Sequence, residues 1–365
     1  MINNIKTYLQ DPLLVRPDWT ISVNRDKSAL WLDKNENLDP FLSKAIQDVM
    51  REINPIALSS YPDFATLYKR LAEVVGVPSN YLALTAGSDG AIKATFEVFV
   101  SPGDVVIHTS PTFAMYTVYC RMFGAKASAV NYRVGPNGPL LTPLEILGAI
   151  KNNKPKLVCI PNPDSPTGSV LNEGDLRKII ETCREVNSVI LIDEAYYPFS
   201  SQTCVPWVAE YKNLIVARTF AKAWGLAGLR IGYVVACPET IEYFHKVRPM
   251  YEVSTVAGEI VLAMLSNEDQ MLQSVQRLKQ GGRYFSDEMS FLGFKCIRGA
   301  GNFLHVSFGA AENLVHQALD GHVLYRKNFT DECLQGYSRF SFTTTEQFES
   351  IVRIIKKALT EGNKK

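Results

Sequence analysis

A lysine stands inside the apolar, glycine-punctuated run TFAKAWGLAGLRIGY, flanked by Phe220, Ala221, Ala223 and Trp224, and Arg230 follows eight residues after it. An amine among such neighbours either snorkels its charge to water or loses its hydration. Lost hydration lowers the pKa and favours the neutral nucleophile that forms a Schiff base with a carbonyl. Arg230 could close a bidentate clamp on a phosphate, and Gly225 and Gly228 allow a tight return between two strands. Asp193 ends the apolar run VILID, where a carboxylate is costly to bury unless it meets a cation or a donor. Its plain alternative is a helix cap, as that of Tyr196, three residues on, is core packing. In TAGSDGA, residues 85–91, small side chains let the N–H groups of Gly87, Ser88 and Asp89 approach a phosphate at a helix N-terminus. The plain alternative there is an N-cap by Ser88 or Asp89.

Such groups act together only if the chain brings strand ends to one edge. Short β-branched runs recur at LALT, VVIHTS, LVCIPNP, VILIDEAYY, LIVARTF and IGYVVAC, and helical patterns such as DGAIKATFEVFV and NEGDLRKIIETCREV lie between several of them. This predicts an α/β fold whose mainly parallel sheet is flanked by helices, with ligand groups gathered where strands end. The reading divides the chain into an N-terminal arm (1–29), a large domain (30–250) and a smaller α+β C-terminal domain (251–365) that opens with a long helical stretch from Ser254 to Gly282. The arm is expected to pack on the small domain or on a neighbouring subunit.

The 365 residues, 46% hydrophobic, suffice for one large core and a smaller one. Lys and Arg total 38 against 37 Asp and Glu, which gives no electrostatic reason to expect nucleic acid or a membrane surface as partner. No apolar run approaches membrane-spanning length, so a soluble cytoplasmic protein is expected. Seven scattered cysteines without a C-x-x-C pair read as reduced, mostly buried thiols, and the five histidines lack metal-ligand spacing, so no metal is expected.

The ordered motifs NEN, AGSDGA, SPTFAMY, PNPDSPTG, LIDEAYY, RTFAKAWGLAGLRIGY and YSRFSF resemble the pyridoxal-phosphate (PLP) dependent aminotransferases of fold type I, and among them histidinol-phosphate aminotransferases, over about residues 30 to 345. The resemblance implies that Lys222 carries the cofactor as a Schiff base, Asp193 pairs with its pyridine nitrogen and Tyr196 meets its ring oxygen. It implies that Arg230, Thr219 and the backbone at Gly87, Ser88 and Asp89 hold the phosphate, and that Phe113 stacks on the ring. Tyr61 would reach the partner's phosphate in a homodimer. Arg339 would bind the substrate carboxylate, with Arg326 thirteen residues earlier as a second anion site and Asn37 on the substrate side. The implied activity is ping-pong transfer of an amino group between a small, phosphorylated amine or amino acid and 2-oxoglutarate.

Two positions depart from the pattern. Ser165 stands where the family has the asparagine that contacts the ring oxygen, and Ala221 where a phosphate-binding serine is common. A lost hydrogen bond to a charged group is worth about 1.5 to 3 kcal/mol, ten- to a hundredfold in affinity. KNENLDP also lacks the aromatic often found after NE in histidinol-phosphate enzymes. Competing readings are a PLP-dependent decarboxylase of a phosphorylated amino acid and an amino-alcohol-phosphate aminotransferase of surface-polysaccharide synthesis. A non-enzymatic regulator ranks below both, because only some thirty residues precede the first motif.

Overall fold

The computed structural model describes residues 5–15 and 25–362. All six apolar runs become strands of one seven-stranded sheet, in spatial order Leu82–Thr85, Gly232–Ala236, Leu214–Thr219, Val189–Asp193, Leu157–Pro161, Val105–Ser110 and Lys126–Asn131. The pairing is parallel except where Gly232–Ala236 runs antiparallel to both of its neighbours. The runs are unbroken in hydrophobicity because both faces are covered. Leu82, Leu84, Ile190, Ile192 and Val216 face one core, while Ala83, Leu191, Ile215 and Ala217, one residue out of step, face the other. The seventh strand, KASAVN, is mostly exposed at the sheet edge and has no apolar run to announce it.

The C-terminal unit has an antiparallel sheet of Lys295–Arg298, Phe303–Ser307 and Ser338–Ser341. Its core joins Phe285, Leu304, Phe340, Phe348 and Ile351.

Both expected domain boundaries are corrected by the packing. Leu30–Leu32 pairs in parallel with Val323–Tyr325, and Leu32 lies in the core of the C-terminal unit, so residue 30 does not open the large domain. Residue 251 does not close it either. The long helical stretch is two helices, Thr255–Leu265 and Glu268–Phe291, and Ile260, Met264, Met271, Val275 and Leu278 all join the large core. From Tyr284 onward the second helix faces the small core. The changeover falls at Gly281 and Gly282, where an added Cβ would stand 2.0 Å from Thr343 O and 2.5 Å from the Phe342 ring. A bare helix surface there lets the chain leaving the small sheet cross in contact.

Residues 16–24 of the arm lie outside the described residues. The described part packs on the large domain of its own chain: Leu14 joins a large-domain core cluster, Tyr8 lies against Gly124, and Arg121 donates to Leu13 O. Six of the seven cysteines are buried, and no helix among the described residues is long and apolar enough to cross a membrane.

Candidate active site

Sheet topology sets the site at the carboxyl ends of the parallel strands. Asp193 closes Val189–Asp193 and is 5% exposed. Its Oδ1 accepts from Ala195 N at 3.0 Å and its Oδ2 from Tyr116 Oη at 3.2 Å. Burial raises its pKa to about 6, against those two hydrogen bonds. Among the described residues no cation is paired with it within salt-bridge distance, and its two donors are the Ala195 N–H and the Tyr116 hydroxyl. Tyr196 follows, buried, edge-on to Phe303 at 5.5 Å, and its phenol oxygen accepts from Asn35 Nδ2 at 2.8 Å.

Lys222 lies in the turn after Leu214–Thr219, held by the left-handed Gly225 at φ 69°. An added Cβ at Gly225 would stand 3.2 Å from Leu42 and 3.3 Å from Asn37 O, so the turn closes against that loop. Lys222 does not snorkel: its Nζ donates to Lys34 O at 2.8 Å and lies 6.0 Å from the Tyr196 ring centre. Burial first, then the positive charges of Arg339 and Arg230, lower its pKa to about 8, while Glu36 and Asp193 oppose the shift.

The Gly87–Phe99 helix begins with Gly87 at φ 75° behind Ala86, with no side-chain cap. Ser88 and Asp89 therefore do not play the plain capping role; the Asp89 carboxylate accepts instead from Tyr119 Oη at 2.8 Å. Arg230, itself at φ 52°, brings Nη2 to 3.2 Å from where a Gly87 Cβ would stand. Gly232 completes the cradle, since a Cβ there would stand 2.5 Å from Arg218 O and 2.7 Å from Gly87 C. A guanidinium beside bare helix N–H groups fits a phosphate. Thr219 lies next to this cradle, with its hydroxyl accepting from Ala221 N at 3.1 Å.

Arg339 arrives from the small sheet, 5% exposed, with Nη2 donating to Asp33 O at 2.7 Å and Nη1 to Ser165 Oγ at 3.4 Å. Its Nε is buried without a partner, and burial lowers its pKa to about 10. Arg326 pairs with it through the main chain and lays its guanidinium 4.6 Å from the Phe329 ring centre. Phe113, 39% exposed, stands edge-on to Tyr116 at 6.2 Å, which leaves its ring open to cover a planar ligand.

Two expected residues lie outside this cluster. Asn37 is turned away: its amide donates to Ala223 O at 2.9 Å and Ser274 Oγ at 3.0 Å, and its Oδ1 accepts from Asp39 N. The substrate-facing expectation for Asn37 is thus corrected, because both ends of the amide brace the loop behind Lys222. Tyr61 is 81% exposed and stacks on Tyr251 at 4.6 Å, on the surface. Sequence reasoning missed Tyr116, whose motif was in view but whose phenol contact was not, and Asn35, two positions from the asparagine it chose. It also missed the main-chain carbonyls of Asp33 and Lys34, for which no side chain gives a signal.

The Lys222 amine, the buried Asp193 carboxylate, the cradle of Gly87, Arg230 and Gly232 and the unsatisfied Nε of Arg339 fit PLP as held by enzymes of fold type I. The chain belongs to the aminotransferases of class I and II, whose sequence profile ("Aminotransferase class I and II") matches residues 27–355. Among its relatives, the histidinol-phosphate aminotransferase of Thermoanaerobacter pseudethanolicus is 31% identical over 330 residues, 90% of this chain and 92% of that protein. That of Caldanaerobacter subterraneus subsp. tengcongensis is 31% identical over 344 residues, covering 90% and 93%. In fold, the chain is similar to the histidinol-phosphate aminotransferase of Sinorhizobium meliloti solved with pyridoxal-5'-phosphate. The TM-score is 0.81 at 20% identity, over 99% of both chains.

Proposed function

We propose that this PLP-dependent aminotransferase takes its amino group from a small amine bearing an anionic end, histidinol phosphate first among them, and passes it to 2-oxoglutarate. The observation that carries the reading is Lys222: an amine with pKa lowered to about 8, in a ring of Asp193, Tyr196, Arg230 and Arg339. The likeness to histidinol-phosphate aminotransferases at 31% identity supports the donor, and the unsatisfied Nε of Arg339 supports an anionic substrate.

When bound, PLP supplies an electron sink that lets a proton leave the substrate Cα. The chain's residues do the rest. Arg230 and the N–H groups of Gly87, Ser88 and Asp89 would anchor the phosphate, with Thr219 beside them. The Asp193 carboxylate would hold the ring N–H, Phe113 would cover the ring, and Tyr196 Oη and Ser165 would address the ring oxygen. Arg339 releases Asp33 O to take the substrate carboxylate or phosphate, and Arg326 takes a second anionic end. Lys222 Nζ would be the base that takes the substrate Cα proton and the acid that delivers it to the cofactor carbon bearing the amine nitrogen. We assign Tyr61 to the partner's phosphate in a homodimer, where its exposure and stacking on Tyr251 suit an interface tyrosine. A cytoplasmic site of action fits six buried, unpaired cysteines.

The test presents purified protein with a panel of amino donors and follows conversion of the cofactor absorbance to that of pyridoxamine phosphate. Conversion by histidinol phosphate supports the donor. Conversion only by another phosphorylated amine removes histidinol phosphate, and carbon dioxide release without amine transfer removes the transaminase reading.

A further inference from the structure

Three consecutive residues reach three of the site's side chains. Asp33 O accepts from Arg339 Nη2 at 2.7 Å, Lys34 O accepts from Lys222 Nζ at 2.8 Å, and Asn35 Nδ2 donates to Tyr196 Oη at 2.8 Å. Asn35 differs from the other two in acting through a side chain, and that side chain is itself fixed. Its main-chain N–H donates to Ser341 Oγ at 2.8 Å, and Ser341 Oγ donates to Asn35 Oδ1 at 3.2 Å. The Asn302 amide donates to Asn35 O at 3.0 Å. With the serine proton directed to Oδ1, the NH2 end of the amide is the end that faces Tyr196. Asn35 is 2% exposed and sits at φ 56°, a left-handed conformation that asparagine tolerates better than most side chains.

A phenol oxygen that accepts an N–H keeps its own proton for another acceptor, and accepting makes it a stronger donor. Ser165, which stands where the family has asparagine, offers no amide. We propose that Asn35 is a positioning residue for the transamination site: by donating to Tyr196 Oη it directs the phenol proton at the cofactor's ring oxygen, supplying through Tyr196 the amide that position 165 lacks. The inference rests on the PLP aminotransferase reading. It ties the small domain to the chemistry, because Ser341 clamps the side-chain amide, and Asn302 the main-chain carbonyl, of the residue that polarises a large-domain phenol. Charged groups around that phenol are Arg339 and Asp193, with Lys222 Nζ 6.0 Å from the ring centre, and Ser165 also faces the hydroxyl. Changing Asn35 removes none of them.

The test reads the visible absorbance of the holoenzyme, whose pH titration reports the proton at the Lys222 linkage to the cofactor. A ring oxygen that receives a weaker hydrogen bond favours the protonated linkage. Asn35→Gly keeps the left-handed backbone, and it is expected to raise the titration midpoint by about 0.5 to 1 pH unit, roughly three- to tenfold in the equilibrium. Tyr196→Phe is expected to raise it further, and Asn35→Gly added to Tyr196→Phe to add nothing. An unmoved midpoint in Asn35→Gly, or the same shift with and without the Tyr196 hydroxyl, overturns the positioning role. Should Asn35→Gly not fold, Ser341→Ala, which frees the amide oxygen and the Asn35 main-chain N–H together but leaves the Asn35 side chain in place, decides by the same criteria with a smaller expected shift. A wild-type protein that never gains the absorbance band overturns the cofactor reading itself, whereas a band with an unmoved midpoint refutes Asn35 alone.

Discussion

The rate at which the apoprotein captures PLP should follow the neutral fraction of one amine, so its pH profile tests the site before any substrate is known. Lys222 is lowered from 10.5 to about 8, chiefly by burial and next by Arg339. At pH 7 an amine of pKa 10.5 is neutral in about 0.03% of molecules, and one of pKa 8 in about 9%, a gain of roughly 300-fold in nucleophile. Capture, followed by stopped-flow absorbance on mixing apoprotein with PLP, should rise about tenfold per unit below pH 7, bend near pH 8 and level off above about pH 9. Arg339→Leu removes the second cause of the shift, so its midpoint should move up and its capture at pH 7 should slow. The sign also fixes a stability effect. The folded state loses the Lys222 proton near pH 8 while the unfolded chain holds it to about 10.5, so unfolding takes up a proton across that window and stability rises with pH there. Lys222→Met should lack this rise, as judged by denaturant midpoints. A capture rate that climbs without break to pH 10, or a midpoint indifferent to Arg339, would refute the idea that burial and neighbouring cations activate the amine.

Ala221→Ser should restore a hydroxyl beside Thr219 and the phosphate cradle, slowing cofactor loss on dilution about ten- to a hundredfold by the worth of a hydrogen bond to a charged group; unchanged loss would place position 221 outside the cradle. Gly232→Ala puts a Cβ 2.5 Å from Arg218 O and 2.7 Å from Gly87 C. It should cost about 1 to 3 kcal/mol of stability and weaken PLP retention as well, the first read from denaturant midpoints and the second from equilibrium titration. Mixing Tyr61→Ala chains with Lys222→Ala chains should regain activity that neither has alone, up to about a quarter of the wild-type sites if subunits reassort at random; no recovery would remove Tyr61 from the partner's site.

What could be read in the sequence, and what could not, follows from where each contact's signal lies. Asp193, Lys222 and Gly87 were legible because each breaks a local pattern: a carboxylate ending VILID, a lysine amid apolar neighbours, a glycine between strand and helix. Gly232 was not, because its reason is the antiparallel insertion of Gly232–Ala236 between Leu82–Thr85 and Leu214–Thr219, which presses it on Gly87. The domain boundary was missed for a related reason. Glu268–Phe291 carries one continuous apolar pattern, yet Val275 and Leu278 face one core and Phe285 and Met289 another, a change of partner that helical periodicity does not record. The Asp33–Asn35 segment was the hardest to see. Two of its three contacts use carbonyl oxygens that every residue possesses, and its partners Lys222, Tyr196 and Arg339 lie 188, 161 and 306 positions away. That same segment follows directly on Leu30–Leu32, which is paired to the small-domain strand Val323–Tyr325. Arg339, Lys222 and, through Asn35, Tyr196 are thus all held by three residues of continuous backbone that the small-domain pairing sets in place.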